Sequence, residues 1–84
     1  SYEPLVFNPF ENGEYFVTME AAKSYNLGAI TSRGTGSVAF HRSTNGTTFS
    51  SVTGNTAFGA NDVLRATVTG MSSGYYAFTI PRSA

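Results

Sequence analysis

The stretch Val38-Ala39-Phe40-His41-Arg42-Ser43-Thr44, then Asn45-Gly46, then Thr47-Thr48-Phe49-Ser50-Ser51-Val52-Thr53, decides the fold class. Asn-Gly between runs of β-branched and aromatic residues is a strong hairpin signal, because both residues tolerate the positive φ of a type I′ turn. With a two-residue loop, Arg42 opposes Phe49, Phe40 opposes Ser51 and Val38 opposes Thr53. That register predicts a core face of Val38, Phe40, Arg42 and Phe49. It leaves Ala39, His41, Ser43, Thr48, Ser50 and Val52 toward solvent. A slip of one residue would exchange the faces.

The pattern continues on both sides. Tyr15 to Glu20 alternates, with Tyr15, Val17 and Met19 on one face and Phe16 and Thr18 on the other. Leu27 to Arg33 reads as a strand and Gly34-Thr35-Gly36 as the turn after it. Between these strands, Glu20-Ala21-Ala22-Lys23 favours one helical turn or a tight loop, being too short to nucleate a helix. Asp62 to Thr69 turns Leu64, Ala66 and Val68 inward. Tyr75 to Ile80 places Tyr76, Phe78 and Ile80 on one face and Tyr75, Ala77 and Thr79 on the other. Short strands at regular spacing with turn residues between them predict an all-β fold, a small antiparallel β-sandwich or barrel.

The first fourteen residues differ. Pro4 and Pro9 forbid a helix and disfavour a central strand, so residues 1–14 read as an extended N-terminal arm on a single β domain of residues 15–84. Leu5, Val6, Phe7 and Phe10 need cover. They either form the first strand of the chain's own sandwich or reach across to a neighbouring subunit's sheet.

Composition bounds the function. Eighty-four residues make one domain with a modest core, and a chain this short often gains stability by oligomerising. With no cysteine and one histidine, disulfide frameworks and thiolate or His-rich metal sites are excluded, and no cofactor is expected. Seven Phe and five Tyr carry the packing. A net charge of zero with 12% charged residues argues against nucleic acid and against a polybasic membrane surface. No apolar run approaches the roughly 20 residues of a membrane span. A soluble chain of unassigned compartment is expected.

Candidate chemistry is sparse. His41 would need a serine and a carboxylate converging on it to act in nucleophilic catalysis, and Asp62 is remote in sequence. Glu3, Glu11, Glu14, Glu20 and Asp62 supply no evident pair for glycoside hydrolysis. Gly34-Thr35-Gly36 lacks the lysine and the following helix of a phosphate loop. No enzyme is expected. Tyr2, Tyr25, Tyr75 and Tyr76 offer flat amphipathic rings for stacking on a sugar or a protein, with Tyr75 the foremost exposed contact.

Residues Gly36 to Val52 resemble a hairpin of small β-sandwich modules that carry a Ser-x-Asp-Gly-x-x-Trp phrase, with Asn45 in place of the Asp and Phe49 in place of the Trp. The phrase occurs in discoidin-like and fibronectin-type-III-like domains and in small bacteriophage virion proteins. The Cys-free, Ser/Thr/Gly/Asn-rich, aromatic composition is similar to the virion group. That resemblance implies a capsid decoration (cement) protein or a head or tail appendage, located in the virion, whose partners are itself, often as a trimer, and a larger assembly such as a capsid. Leu5, Val6, Phe7, Phe10 and Tyr75 are the interface candidates. A carbohydrate- or receptor-binding module, with a tyrosine-lined groove for a glycan, is the alternative.

Overall fold

A computed structural model describes residues 3–72 and 74–83. Among the described residues nine strands follow one another: β1 (Leu5–Phe7), β2 (Gly13–Thr18), β3 (Lys23–Asn26), β4 (Thr31–Gly34), β5 (Ser37–Ser43), β6 (Ser50–Ser51), β7 (Asn55–Phe58), β8 (Val63–Thr69) and β9 (Tyr76–Ile80). A 3₁₀ turn, Leu27–Ala29, separates β3 from β4. The strands form three antiparallel sheets, ordered β1-β9-β4, β2-β8-β5-β6 and β3-β7. The fold is all-β and sandwich-like.

Alternation explains the core. On β8, Leu64 and Ala66 are fully buried and Val68 nearly so; on β9, Tyr76, Phe78 and Ile80 point inward in the same way. Phe78 joins the two larger sheets. Its ring stacks on Phe7 of β1 at 4.7 Å and meets Phe40 of β5 edge-on at 6.1 Å. At one end, Tyr25 of β3 packs edge-on against Phe58 of β7. The chain beyond β9 turns toward β3, where Arg82 bridges Tyr25 and Pro81 O accepts from Asn26 N at 2.9 Å.

The N-terminal segment enters this structure as a strand. Leu5, Val6 and Phe7 pair with Ile80, Thr79 and Phe78, so of the two uses open to these residues the chain makes the first, packing on itself. Leu5 and Phe7 turn into the core, while Val6 stays 61% exposed and Phe10 80% exposed. Asn12 ties the following loop to the β8–β9 loop, accepting from Met71 N at 2.9 Å.

Several local readings are corrected, among them Ser43 and Val52, expected toward solvent: Ser43 is 1% exposed, its hydroxyl turned onto the Asn45 and Gly46 backbone, and Val52 packs against the core. The hairpin register is His41 opposite Ser51 and Arg42 opposite Ser50, one residue away from the two-residue turn. The connection is a loop of residues 44–49, and of the Asn45-Gly46 pair only Gly46 has positive φ. Side chains hold it. Asn45 Oδ1 accepts from the backbone N–H groups of Thr47 and Thr48, each at 2.9 Å, and Ser43 Oγ accepts from Gly46 N at 2.8 Å. An Asn side chain that takes the place of a backbone acceptor favours this wider turn. Second, of the helical turn and the tight loop open to Glu20-Ala21-Ala22-Lys23, residues 20–22 take the loop, and Lys23–Asn26, which shows no strand pattern of its own, becomes a strand by pairing with Asn55–Phe58. Third, Leu27–Ala29 is not extended. Asn26 Oδ1 accepts from Gly28 N at 3.0 Å and starts the 3₁₀ turn, and the strand begins at Thr31.

Candidate interaction surfaces

The outer face of the four-stranded sheet carries a row that the register builds across it: Phe16 on β2, Arg65 on β8, His41 on β5 and Ser51 on β6. Phe49, assigned to the core by the two-residue turn, belongs to this face instead. The longer loop carries it over the sheet, where its ring meets Phe16 edge-on at 6.1 Å and lies 4.6 Å from the Arg65 guanidinium carbon. Arg65 thus lies over the Phe49 ring beside Phe16, a favourable cation–π arrangement. His41 Nδ1 and Arg65 Nε are both buried, with no hydrogen-bond partner among the described residues. His41 therefore neighbours a cation and a serine in the row.

Arg42 keeps the inward direction expected of it. Its guanidinium donates to Ala57 O at 2.8 Å, lies 3.7 Å from Asp62 and sits over the Phe58 ring. Asp62 also accepts from Gly59 N at 2.9 Å, so it closes the β7–β8 turn. The four glutamates, Glu3, Glu11, Glu14 and Glu20, are exposed at separate places along the chain.

Gly34-Thr35-Gly36 is a tightly packed turn between β4 and β5. A Cβ on Gly34 would lie 2.0 Å from Tyr75 O, and one on Gly36 would lie 2.7 Å from the Tyr76 ring. Thr35 N donates to that same Tyr75 oxygen at 3.0 Å. Close approach of backbone to backbone and ring is what these glycines serve.

Among the described residues, the tyrosines do not form a common groove. Tyr25 and Tyr76 are buried at 3% exposure each, and burial raises the Tyr76 phenol pKa. Tyr75 is 56% exposed just before β9, and Tyr2 lies outside the described residues. At the opposite end of β9 is an open polar cleft of about 530 Å³, bordered by Ser24, Asn26, Asn55 and Arg82. Ser83 Oγ donates to Asn55 Oδ1 across it at 2.7 Å. A smaller groove of about 320 Å³ runs along Leu27, Ile30, Val38 and Val52.

Of the interface candidates, Val6, Phe10 and Tyr75 are therefore on the surface, and Leu5 and Phe7 are within the chain's own core. Phe16 was not among them. Its outward direction followed from alternation along β2, but its place beside Phe49 and Arg65 depends on pairing across three strands. Among the described residues, no helix is long and apolar enough to cross a membrane. No protein-family model, curated protein or solved structure matches the chain.

Proposed function

We propose that this chain is a non-enzymatic structural protein that works by docking, to copies of itself and to a larger assembly, as a capsid decoration or a head or tail appendage of a viral particle. One observation carries the docking reading: four large apolar side chains, Val6, Phe10, Phe16 and Tyr75, are each more than half exposed on a chain of 84 residues. Each such group, once covered, contributes about 1.5–3 kcal/mol, so a partner that buries two or three of them gains enough for specific association. The viral setting rests on the resemblance of residues 36–52 and of the composition. Mass spectrometry of gradient-purified particles tests it. The chain is expected to co-migrate with intact particles, and recovery only in the particle-free fraction contradicts the proposal.

The polar cleft supports a second reading, a carbohydrate- or receptor-binding module. Asn26 and Asn55 amides beside Ser24 and Ser83 hydroxyls suit a polyhydroxylated ligand. Glycan-array binding that disappears in Asn55→Ala would favour this reading, whereas binding lost in Tyr75→Ala alone would move the sugar site to the other end of β9.

A further inference from the structure

We infer that the open edge of β2 is a self-complementary dimerisation strand, which pairs antiparallel with β2 of a second copy about a two-fold axis through Phe16. This rests on the docking reading and names its surface and partner. Among the described strands β2 is the longest whose whole edge is free: six residues at the end of the order β2-β8-β5-β6. The other edges are protected or short. β1 has three residues and is flanked by Pro4 and Pro9, while β6 has two residues. β2 has no proline and no lysine, the usual guards of an edge strand.

The backbone direction selects the register. Met19 N donates to Asp62 O at 2.9 Å, on the β8 side of the strand. By the two-residue alternation of an antiparallel ladder, Gly13, Tyr15 and Val17 direct their backbone groups at β8. Glu14, Phe16 and Thr18 direct theirs at the open edge. Two copies joined with Phe16 opposite Phe16 then place Glu14 of one opposite Thr18 of the other. All three pairs are of the hydrogen-bonded kind, giving about six backbone hydrogen bonds.

The side chains agree with that register on both faces. On the outer face, Phe16 meets its own copy and extends the Phe49–Arg65 ledge across the axis, and Glu14 faces a neutral threonine, so no like charges oppose. On the inner face, Tyr15 of one copy falls beside Val17 of the other. Both are only half-buried and packed against the core, so the added strand continues that core instead of ending it. A two-fold axis also closes the assembly, since each copy presents the same patch once. Strand addition takes its affinity from main-chain hydrogen bonds, and an edge this short belongs to the small, weak class of interfaces.

Sedimentation velocity of the full chain from about 10 µM to about 1 mM tests the register through charge. The wild type is expected to dimerise. Thr18→Glu, which opposes a carboxylate to Glu14 of the second copy, should weaken the dimer at least about tenfold. Glu14→Lys combined with Thr18→Glu should restore it to within about threefold. Both positions are exposed, and the double variant carries the same Thr18 change, so it controls for folding. Association that ignores Thr18→Glu, or that the double variant fails to restore, overturns the β2 edge and leaves self-association through another surface standing. A wild type that stays monomeric throughout overturns the edge and the self-association part of the proposed function together.

Discussion

Replacing Phe7 by alanine separates a strand that belongs to the core from an arm that merely lies near it. The Phe7 ring is 9% exposed and stacks nearly parallel on Phe78 at 4.7 Å, 10° from coplanar. Truncation of a buried Phe costs about 3–5 kcal/mol, of which the aromatic pair accounts for about 0.5–1.5. Because β1 is a three-residue edge strand that can relax, the low end, about 3 kcal/mol, is expected. An 84-residue domain has a total stability of about 4–13 kcal/mol, so this one change removes a quarter or more of it. Phe10, three residues later, is 80% exposed, and Phe10→Ala should change stability by less than about 0.5 kcal/mol. Urea unfolding at low chain concentration, followed by far-UV circular dichroism, reads both. With a slope of about 1 kcal/mol per molar, the midpoint should fall by about 3 M in Phe7→Ala and stay within about 0.5 M of wild type in Phe10→Ala. Equal midpoints for the two variants would refute the placement of Phe7 in the core.

Asn45→Gly discriminates the two forms of the hairpin loop. A type I′ turn would accept glycine, whereas loss of the Asn45 acceptor for Thr47 N and Thr48 N should cost about 1–2 kcal/mol in urea unfolding; an unchanged midpoint contradicts the side-chain-held loop. Gly34→Ala forces a Cβ against Tyr75 O at a φ of 86° and displaces the Thr35–Tyr75 hydrogen bond, so a loss of about 2–4 kcal/mol and a Tm lower by about 10–20 °C are expected in calorimetry. Tyr76 should make the fold sensitive to alkali. Its buried phenol has a pKa raised above 10.0, so the unfolded chain releases this proton first. The stability it contributes is intact below pH 10 and declines as pH rises from there through the folded-state pKa. Unfolding midpoints measured from pH 8 to 11 should therefore fall more steeply for wild type than for Tyr76→Phe, and parallel curves would refute this.

Much of the fold was legible because burial on one face imposes a strict period of two. Leu64, Ala66 and Val68, then Tyr76, Phe78 and Ile80, follow that rule, and each is buried where alternation puts it. Phe40 follows the same rule, since its direction depends on β5 alone. The loop beyond it was less legible. Residue types in Asn45-Gly46 fit a two-residue turn, but the Asn45 side chain accepts two backbone N–H groups and settles a longer loop, which moves Phe49 to the other face. β3 was hidden for a different reason: Lys23-Ser24-Tyr25-Asn26 has one strong strand former, and only its partner β7 makes it a strand. The surfaces divide the same way. Exposure of Tyr75 and the outward direction of Phe16 are local properties. The ledge that gathers Phe16, Arg65 and Phe49 is a property of sheet order, which no single segment encodes. The Leu5–Phe7 stretch was open to use as a strand of its own sandwich or of a neighbour's, because both uses bury the same side chains.

Self-association through the open edge of β2 is the central claim, and amide hydrogen exchange reads it at the residues concerned. Glu14, Phe16 and Thr18 direct their N–H groups away from β8, so at low concentration these amides should exchange at nearly the rate of free backbone. Tyr15 and Val17, bonded to β8, should be protected at every concentration. As chain concentration rises toward about 1 mM, protection at the Glu14, Phe16 and Thr18 amides should increase about tenfold or more, while Tyr15 and Val17 change little. Free exchange at all three even-numbered positions regardless of concentration would contradict the account.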